Sequence, residues 1–186
     1  MISIDCDIAS AYETAISSEQ VEAAAMAALQ AEGLDTQEIG VSIAITDDEE
    51  VRDLNRNFRG VDYTTDVLSF SAEEEPDFEE YVDTDALDED ATEDEETEDE
   101  ATPRFIIPPE YAEVNPVRYL GDIVISFPQA ERQAAEFNNS PAREVQELVI
   151  HGLFHLLGYD HEEASQREVM QAHEEKAAHI LDEATV

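Results

Sequence analysis

The segment His151-Gly152-Leu153-Phe154-His155-Leu156-Leu157-Gly158-Tyr159-Asp160-His161 places three imidazoles at the spacing H-x3-H-x5-H within an otherwise apolar run. Residues four apart share one face of a helix, so His151 and His155 can grip a single ion. Gly158 can take the left-handed conformation that ends a helix, which lets the chain swing His161 back to the same point. Three neutral imidazole nitrogens at about 2.0–2.1 Å, with a fourth position left to water, are the donor set of a catalytic zinc ion. A lone histidine on an apolar helix face is more often a packed core residue. Three at this spacing around a helix-ending glycine point instead to one bound ion per chain. The remaining histidines, His173 and His179, are six apart and share no helical face well, so they read as surface or packing residues.

The same spacing follows the zincin pattern H-E-x-x-H-x-x-G-x-x-H, with one difference: Gly152 stands where a metalloprotease keeps its glutamate general base. The motif therefore points to a metal hydrolase other than an ordinary peptidase. Imidazoles must be neutral to bind a metal, so activity is expected to fall as pH drops through the histidine range.

The elements that must hold these residues are legible as alternations and caps. Ile2, Ile4, Cys6 and Ile8 alternate with polar residues and predict a first strand over 2–8. Ser17 and Gln20 form a capping box for a helix that presents Val21, Ala24, Ala25, Ala28 and Leu29 and stops at Gly33. Residues 39–46 predict a second strand, and Thr46 with Glu49 a second capping box opening a short helix to about Phe58. Brief strands are expected over 67–70 and 119–126, and a helix over 128–137. Ser140-Pro141 supplies an N-cap and a first-turn proline for the histidine-bearing helix, with Val145, Leu148, Val149 and Leu156 as its buried stripe. A last helix over about 165–181 packs through Val169, Met170, Ala177, Ile180 and Leu181. Strands and helices alternate early and helices dominate late. The expected class is α+β, a small mixed four-stranded sheet packed with about five helices around a zincin-like metal helix.

Charge is the second oddity. The 186 residues carry 48 acids against 9 bases, and Lys176 is the single lysine. Between Glu73 and Glu100, 18 of 28 residues are acidic and none is basic. Such dense like charge cannot pack, so 72–103 is expected to be a disordered acidic insertion within one domain spanning 1–186. The rest of the chain still holds 30 acids against 9 bases, which implies a folded body adapted to a salt-rich, halophilic interior. A single cysteine, Cys6, fits a reducing compartment, and neither a secretory leader nor a membrane-spanning run is evident. The expectation is a cytoplasmic protein.

Arg52, Arg56 and Arg59 recur at i, i+4 and i+7, along one side of the short second helix and its exit. Guanidinium groups grip phosphate bidentately, yet three surface arginines paired with Asp48 or Asp53 read equally well. Asp62, Asp160 and Asp122 are further carboxylates near turns or strand ends. Pattern alone leaves Asp122 either paired or at a cleft.

Three motifs in order carry a family resemblance: Phe58-Arg59 through Thr65-Asp66-Val67-Leu68-Ser69-Phe70, then Leu120-Gly121-Asp122-Ile123-Val124-Ile125-Ser126, then the histidine segment. With Arg143-Glu144, Met170 and Glu174-Glu175, the chain resembles the YbeY family of rRNA maturation factors. It departs in its long acidic loop and in having Ser71 where proline is common. The resemblance implies a single-strand-specific, metal-dependent endoribonuclease that matures the 3′ end of small-subunit (16S) rRNA and serves ribosome quality control. It implies Zn(2+) on His151, His155 and His161, and Arg59 as a residue used in activity. Its partners would be single-stranded rRNA and the small ribosomal subunit, with no membrane. The rival expectations are a non-catalytic ribosome-assembly factor holding structural zinc, and a metal hydrolase acting on another substrate.

Overall fold

The computed structural model describes residues 1–72, 117–161 and 163–184. The acidic insertion expected over 72–103 lies outside the described residues, apart from Ala72.

Nine elements follow in chain order: β1 (Ile2–Ile8), α1 (Ser18–Ala31), β2 (Ile39–Thr46), α2 (Asp48–Arg59), β3 (Val67–Ser71), β4 (Arg118–Ser126), α3 (Phe127–Phe137), α4 (Pro141–Leu156) and α5 (Ala164–Ala184). The sheet order is β1-β2-β4-β3. β1 and β4 each run parallel to β2, while β3 returns antiparallel along β4. This is the mixed four-stranded sheet with five helices that the alternation of patterns predicts.

One face of the sheet is the core. Ile39, Val41, Ile43 and Ile45 of β2 and Ile123 and Ile125 of β4 are at most 1% exposed, because period-two alternation turns them all to the same side. α1 and α4 lie among the helices on that core. The alanines of α1 keep its buried stripe thin, and the predicted Ser17/Gln20 capping box is present. α4 is the central helix, with nine buried residues including Val145, Leu153 and Phe154. Ser140 caps it by accepting from the Arg143 amide at 3.2 Å, and Pro141 occupies its first turn. Phe154 is fully buried, so Phe154→Ala would cost about 3–5 kcal/mol and loosen the helix that carries the histidines.

Two expectations are corrected. The cap of α2 is Asp47, whose Oδ1 accepts from the amides of Glu49 and Glu50 at 3.0 Å. Thr46 is the last residue of β2, paired with Ser126, and does not cap the helix. Its hydroxyl donates to Glu50 instead. Val169, expected to pack, is half exposed, because the buried line of α5 is Met170, Ala177 and Leu181. No helix of the described residues is long and apolar enough to cross a membrane.

Candidate metal centre

His151 and His155 project from successive turns of α4, their rings 4.6 Å apart between centroids. The helix ends at Leu156, and Gly158 follows at φ +89°. A Cβ at 158 would meet nothing within 4 Å, so the backbone angle, not crowding, calls for glycine there. The reversed chain is held by the Gly158 amide on the His155 carbonyl at 2.9 Å and the Tyr159 amide on the Phe154 carbonyl at 3.0 Å. His161 thereby returns to 5.0 Å from the ring of His155 and 5.5 Å from that of His151. One ligand atom from each of the three histidines lies within 4.8 Å of the others.

The hydrogen bonds on the outer nitrogens decide what the inner ones can do. Nδ1 of His151 lies 2.7 Å from Oε1 of Glu174, and Nδ1 of His155 lies 3.0 Å from the Tyr159 carbonyl. A carboxylate and a carbonyl only accept, so each Nδ1 carries the proton and donates it. In neutral rings both Nε2 atoms are then lone pairs, and they face each other at 3.1 Å. Two lone pairs at that distance repel unless a cation lies between them. Tetrahedral zinc with bonds of about 2.0–2.1 Å requires ligand nitrogens about 3.3 Å apart, close to what is seen. Burial, followed by the neighbouring His151 and His161, holds His155 below the ordinary histidine pKa and favours the neutral, metal-binding ring. The donor set fits zinc.

Gly152 lies against the sheet, where a Cβ would stand 3.0 Å from Cγ2 of Ile123 and 3.1 Å from Oγ of Ser69. A side chain there would press on both neighbours, and glycine offers no base at the position that holds the glutamate of a zincin.

The histidines line a cleft of about 760 Å³ whose other walls include Arg59, Thr65, Asp66 and Asp160. The three arginines of α2 separate into two kinds. Arg52 bonds Asp62 at 2.8 Å, and Arg56 bonds Asp53 at 2.7 Å and approaches Asp62 at 3.6 Å. Arg59 forms no ion pair among the described residues and lines the cleft. Its place is fixed by the end of α2. Gly60 closes the helix at φ +68°, and the buried Asn55 ties the following loop back through the Tyr63 carbonyl at 2.8 Å.

Other carboxylates are accounted for locally. Asp66 accepts from Thr65 Oγ1 and the Val67 amide through one oxygen and from Gln133 through the other, each at 2.9 Å. Burial pushes its pKa up, but those bonds prevail and hold it below the usual carboxylate range. Asp66 is thus an anchor for the loop that presents Thr65. Asp122 accepts from the Tyr119 hydroxyl at 2.6 Å, on the sheet face away from the histidines. Asp160 lines the cleft and accepts from the His161 amide at 2.7 Å.

Sequence reasoning misses Glu174 as the partner of His151. The two are 23 residues apart, and only the packing of α5 on α4 joins them. It also misses a cluster behind the cleft. The Tyr159 hydroxyl donates to Glu32 at 2.8 Å, and His173 bonds the same carboxylate, so the residue whose carbonyl orients His155 is fixed from α1 and α5. His179 is a surface residue, 3.4 Å from Glu183.

A family model described as "Endoribonuclease YbeY" matches residues 7–182. An "Endoribonuclease YbeY" of Chloroflexus aurantiacus is 41% identical over 165 residues, covering 88% of this chain and 86% of that protein. One of Moorella thermoacetica is 40% identical over 149 residues, covering 80% and 76%. Among solved structures, the solution structure of TM1509 from Thermotoga maritima aligns over 95% of this chain and 89% of that one, at 23% identity and a TM-score of 0.48.

Proposed function

Since the chain belongs to the YbeY endoribonuclease family, we propose that it is a single-strand-specific, zinc-dependent endoribonuclease. Its task on this reading is maturation of the 3′ end of small-subunit (16S) rRNA and ribosome quality control, in the cytoplasm and on the small ribosomal subunit. The supporting observation is that Arg59, free of the carboxylates that engage its helix neighbours, lines the same cleft as the three histidines.

His151, His155 and His161 would hold one zinc ion, which supplies Lewis acidity toward a phosphoryl oxygen or a water molecule. Arg59 offers a permanently charged fork to the phosphate and neutralises charge that builds on it in the transition state. Gly152 has no side chain to act as a base, so proton acceptance falls to another group. Asp62 is held by Arg52 and is not among the cleft-lining residues, whereas Asp160 lines the cleft. Asp160 is therefore the better placed of the two. A structural zinc site is closed by a fourth protein donor. Three His/Cys/Asp/Glu side chains converge here among the described residues, which favours the open, catalytic form.

The net charge of −39 opposes RNA binding at low salt, so phosphate contacts must come from local arginines in a screened medium. The test is cleavage of a labelled single-stranded rRNA fragment in high KCl, comparing zinc-loaded protein, chelated protein, His155→Ala and Arg59→Glu. Zinc-dependent cutting lost in both variants is expected. If all samples are inert while zinc binds stoichiometrically, the endoribonuclease reading fails and a non-catalytic assembly factor replaces it.

A further inference from the structure

We propose that Arg167 forms a second phosphate subsite beside the three histidines, in a hollow separate from the one Arg59 lines. A single strand would then cross the metal group with one backbone phosphate at Arg59 and another at Arg167. This rests on the endoribonuclease reading above and adds to it the path of the substrate.

The first observation is geometric. His151 and His161 line two hollows, the main cleft that contains Arg59 and a smaller one of about 230 Å³ lined by Arg167, Met170, Gln171 and Glu174. The two hollows share His151 and His161, and each carries an arginine.

The second observation is electrostatic. With 48 acids and 9 bases in the chain, a carboxylate partner is the ordinary condition of an arginine here. Arg52, Arg56, Arg132 and Arg143 each have one at 2.7–3.0 Å. Arg59 and Arg167 form no ion pair among the described residues, and both stand beside the same histidines. Two cations with no ion pair among the described residues, beside the same histidines, suit a polyanion that passes over them.

The third is the state of the groups facing Arg167. Its Nη2 donates to the His161 carbonyl at 3.1 Å, which uses one of five guanidinium N–H groups and fixes the fork beside the ligand. Glu174 is the carboxylate lining this hollow, and one of its oxygens accepts from His151. Gln171 donates to Glu175.

The bond to His161 also allows Arg167 to be a clamp on the ligand loop and nothing more, and the test separates the two roles. Zinc-loaded wild type, Arg167→Gln and Arg167→Lys would be compared for zinc affinity by chelator competition, and for KM and kcat on a single-stranded oligoribonucleotide over a range of KCl. Loss of a charged hydrogen bond should raise KM about tenfold in Arg167→Gln. Its kcat and zinc affinity should stay within about twofold of wild type. The slope of log kcat/KM against log [KCl] should become shallower by about 0.7, the value of one phosphate contact on a single strand. Arg167→Lys should keep that slope, and a dinucleoside monophosphate, with its single phosphate, should be cut equally by all three proteins. A fall in zinc affinity with the salt slope unchanged makes Arg167 a clamp and overturns the subsite. Wild-type KM and slope in Arg167→Gln also remove it, while leaving the nuclease intact. A wild type that neither cuts nor binds the RNA removes the nuclease and the subsite together.

Discussion

Oε1 of Glu174 lies 2.7 Å from Nδ1 of His151, so α5 holds the first histidine of α4 by a charge-assisted hydrogen bond. The carboxylate fixes the tautomer that leaves Nε2 unprotonated. Removing such a partner typically lowers metal affinity 10- to 100-fold. Glu174→Ala is therefore expected to bind zinc about 10–100 times more weakly, read by chelator competition. Wild-type affinity in that variant would show the bond to be incidental.

Gly152 answers a different need. A Cβ there would press on Ile123 at 3.0 Å and Ser69 at 3.1 Å, where the helix meets β3 and β4 without slack. Overpacking of this kind costs about 1–3 kcal/mol. For a chain of this length each kcal/mol lowers Tm by about 2–4 °C. Gly152→Ala should melt several degrees lower with chelator present, which keeps metal affinity out of the comparison. An unchanged Tm would mean that the helix can shift away from the sheet.

How much of this was legible depended on sequence distance. His151 and His155 are one helical turn apart, and Gly158 marks where the chain reverses, so the convergence of three histidines that could hold a metal was readable from spacing. Arg59 was distinguishable as the arginine at the helix end, but its freedom from carboxylates became visible only when Asp62 and Asp53 were seen to engage its neighbours. The capping of α2 was misplaced by one residue because Thr46 and Asp47 are both good caps. Asp47 takes the amides of Glu49 and Glu50, while the Thr46 hydroxyl turns to Glu50. Glu174 and the Glu32–Tyr159–His173 cluster had no local signal at all. His173 is 141 residues from Glu32, and nothing but the packing of α5 near α1 brings them together.

Asp66 gives a prediction with a defined sign. Its folded-state pKa is depressed, on balance, by hydrogen bonds from Gln133, Thr65 and the Val67 amide. A depressed carboxylate stabilises the fold above its unfolded pKa of about 3.9, and that contribution is lost as pH falls through the folded value. Asp66→Asn should therefore be less stable than wild type at neutral pH, with a difference constant down to about pH 5. Below about pH 4 the gap should close as wild-type Asp66 takes up its proton. Denaturant melts at several pH values measure this, and a gap that stays constant to pH 2 would remove the ionised carboxylate from the explanation.

The acidity of the folded body predicts a response to salt. Apart from residues 73–100, the chain carries 30 acids and 9 bases, so repulsion among unpaired carboxylates opposes compaction. Raising the ionic strength from 0.15 to 1 M shortens the Debye length from about 8 to about 3 Å and screens that repulsion. Screening also weakens favourable pairs such as Arg132–Asp48 at 2.8 Å and Arg143–Asp182 at 2.7 Å. Exposed pairs contribute only about 0.2–1 kcal/mol each. They are few beside the excess of negative charge, so the repulsive side prevails. The expected result is a Tm that climbs steadily with KCl through the molar range, with zinc held saturating. A flat or falling Tm would mean that the carboxylates do not strain the fold, and salt adaptation would no longer account for them.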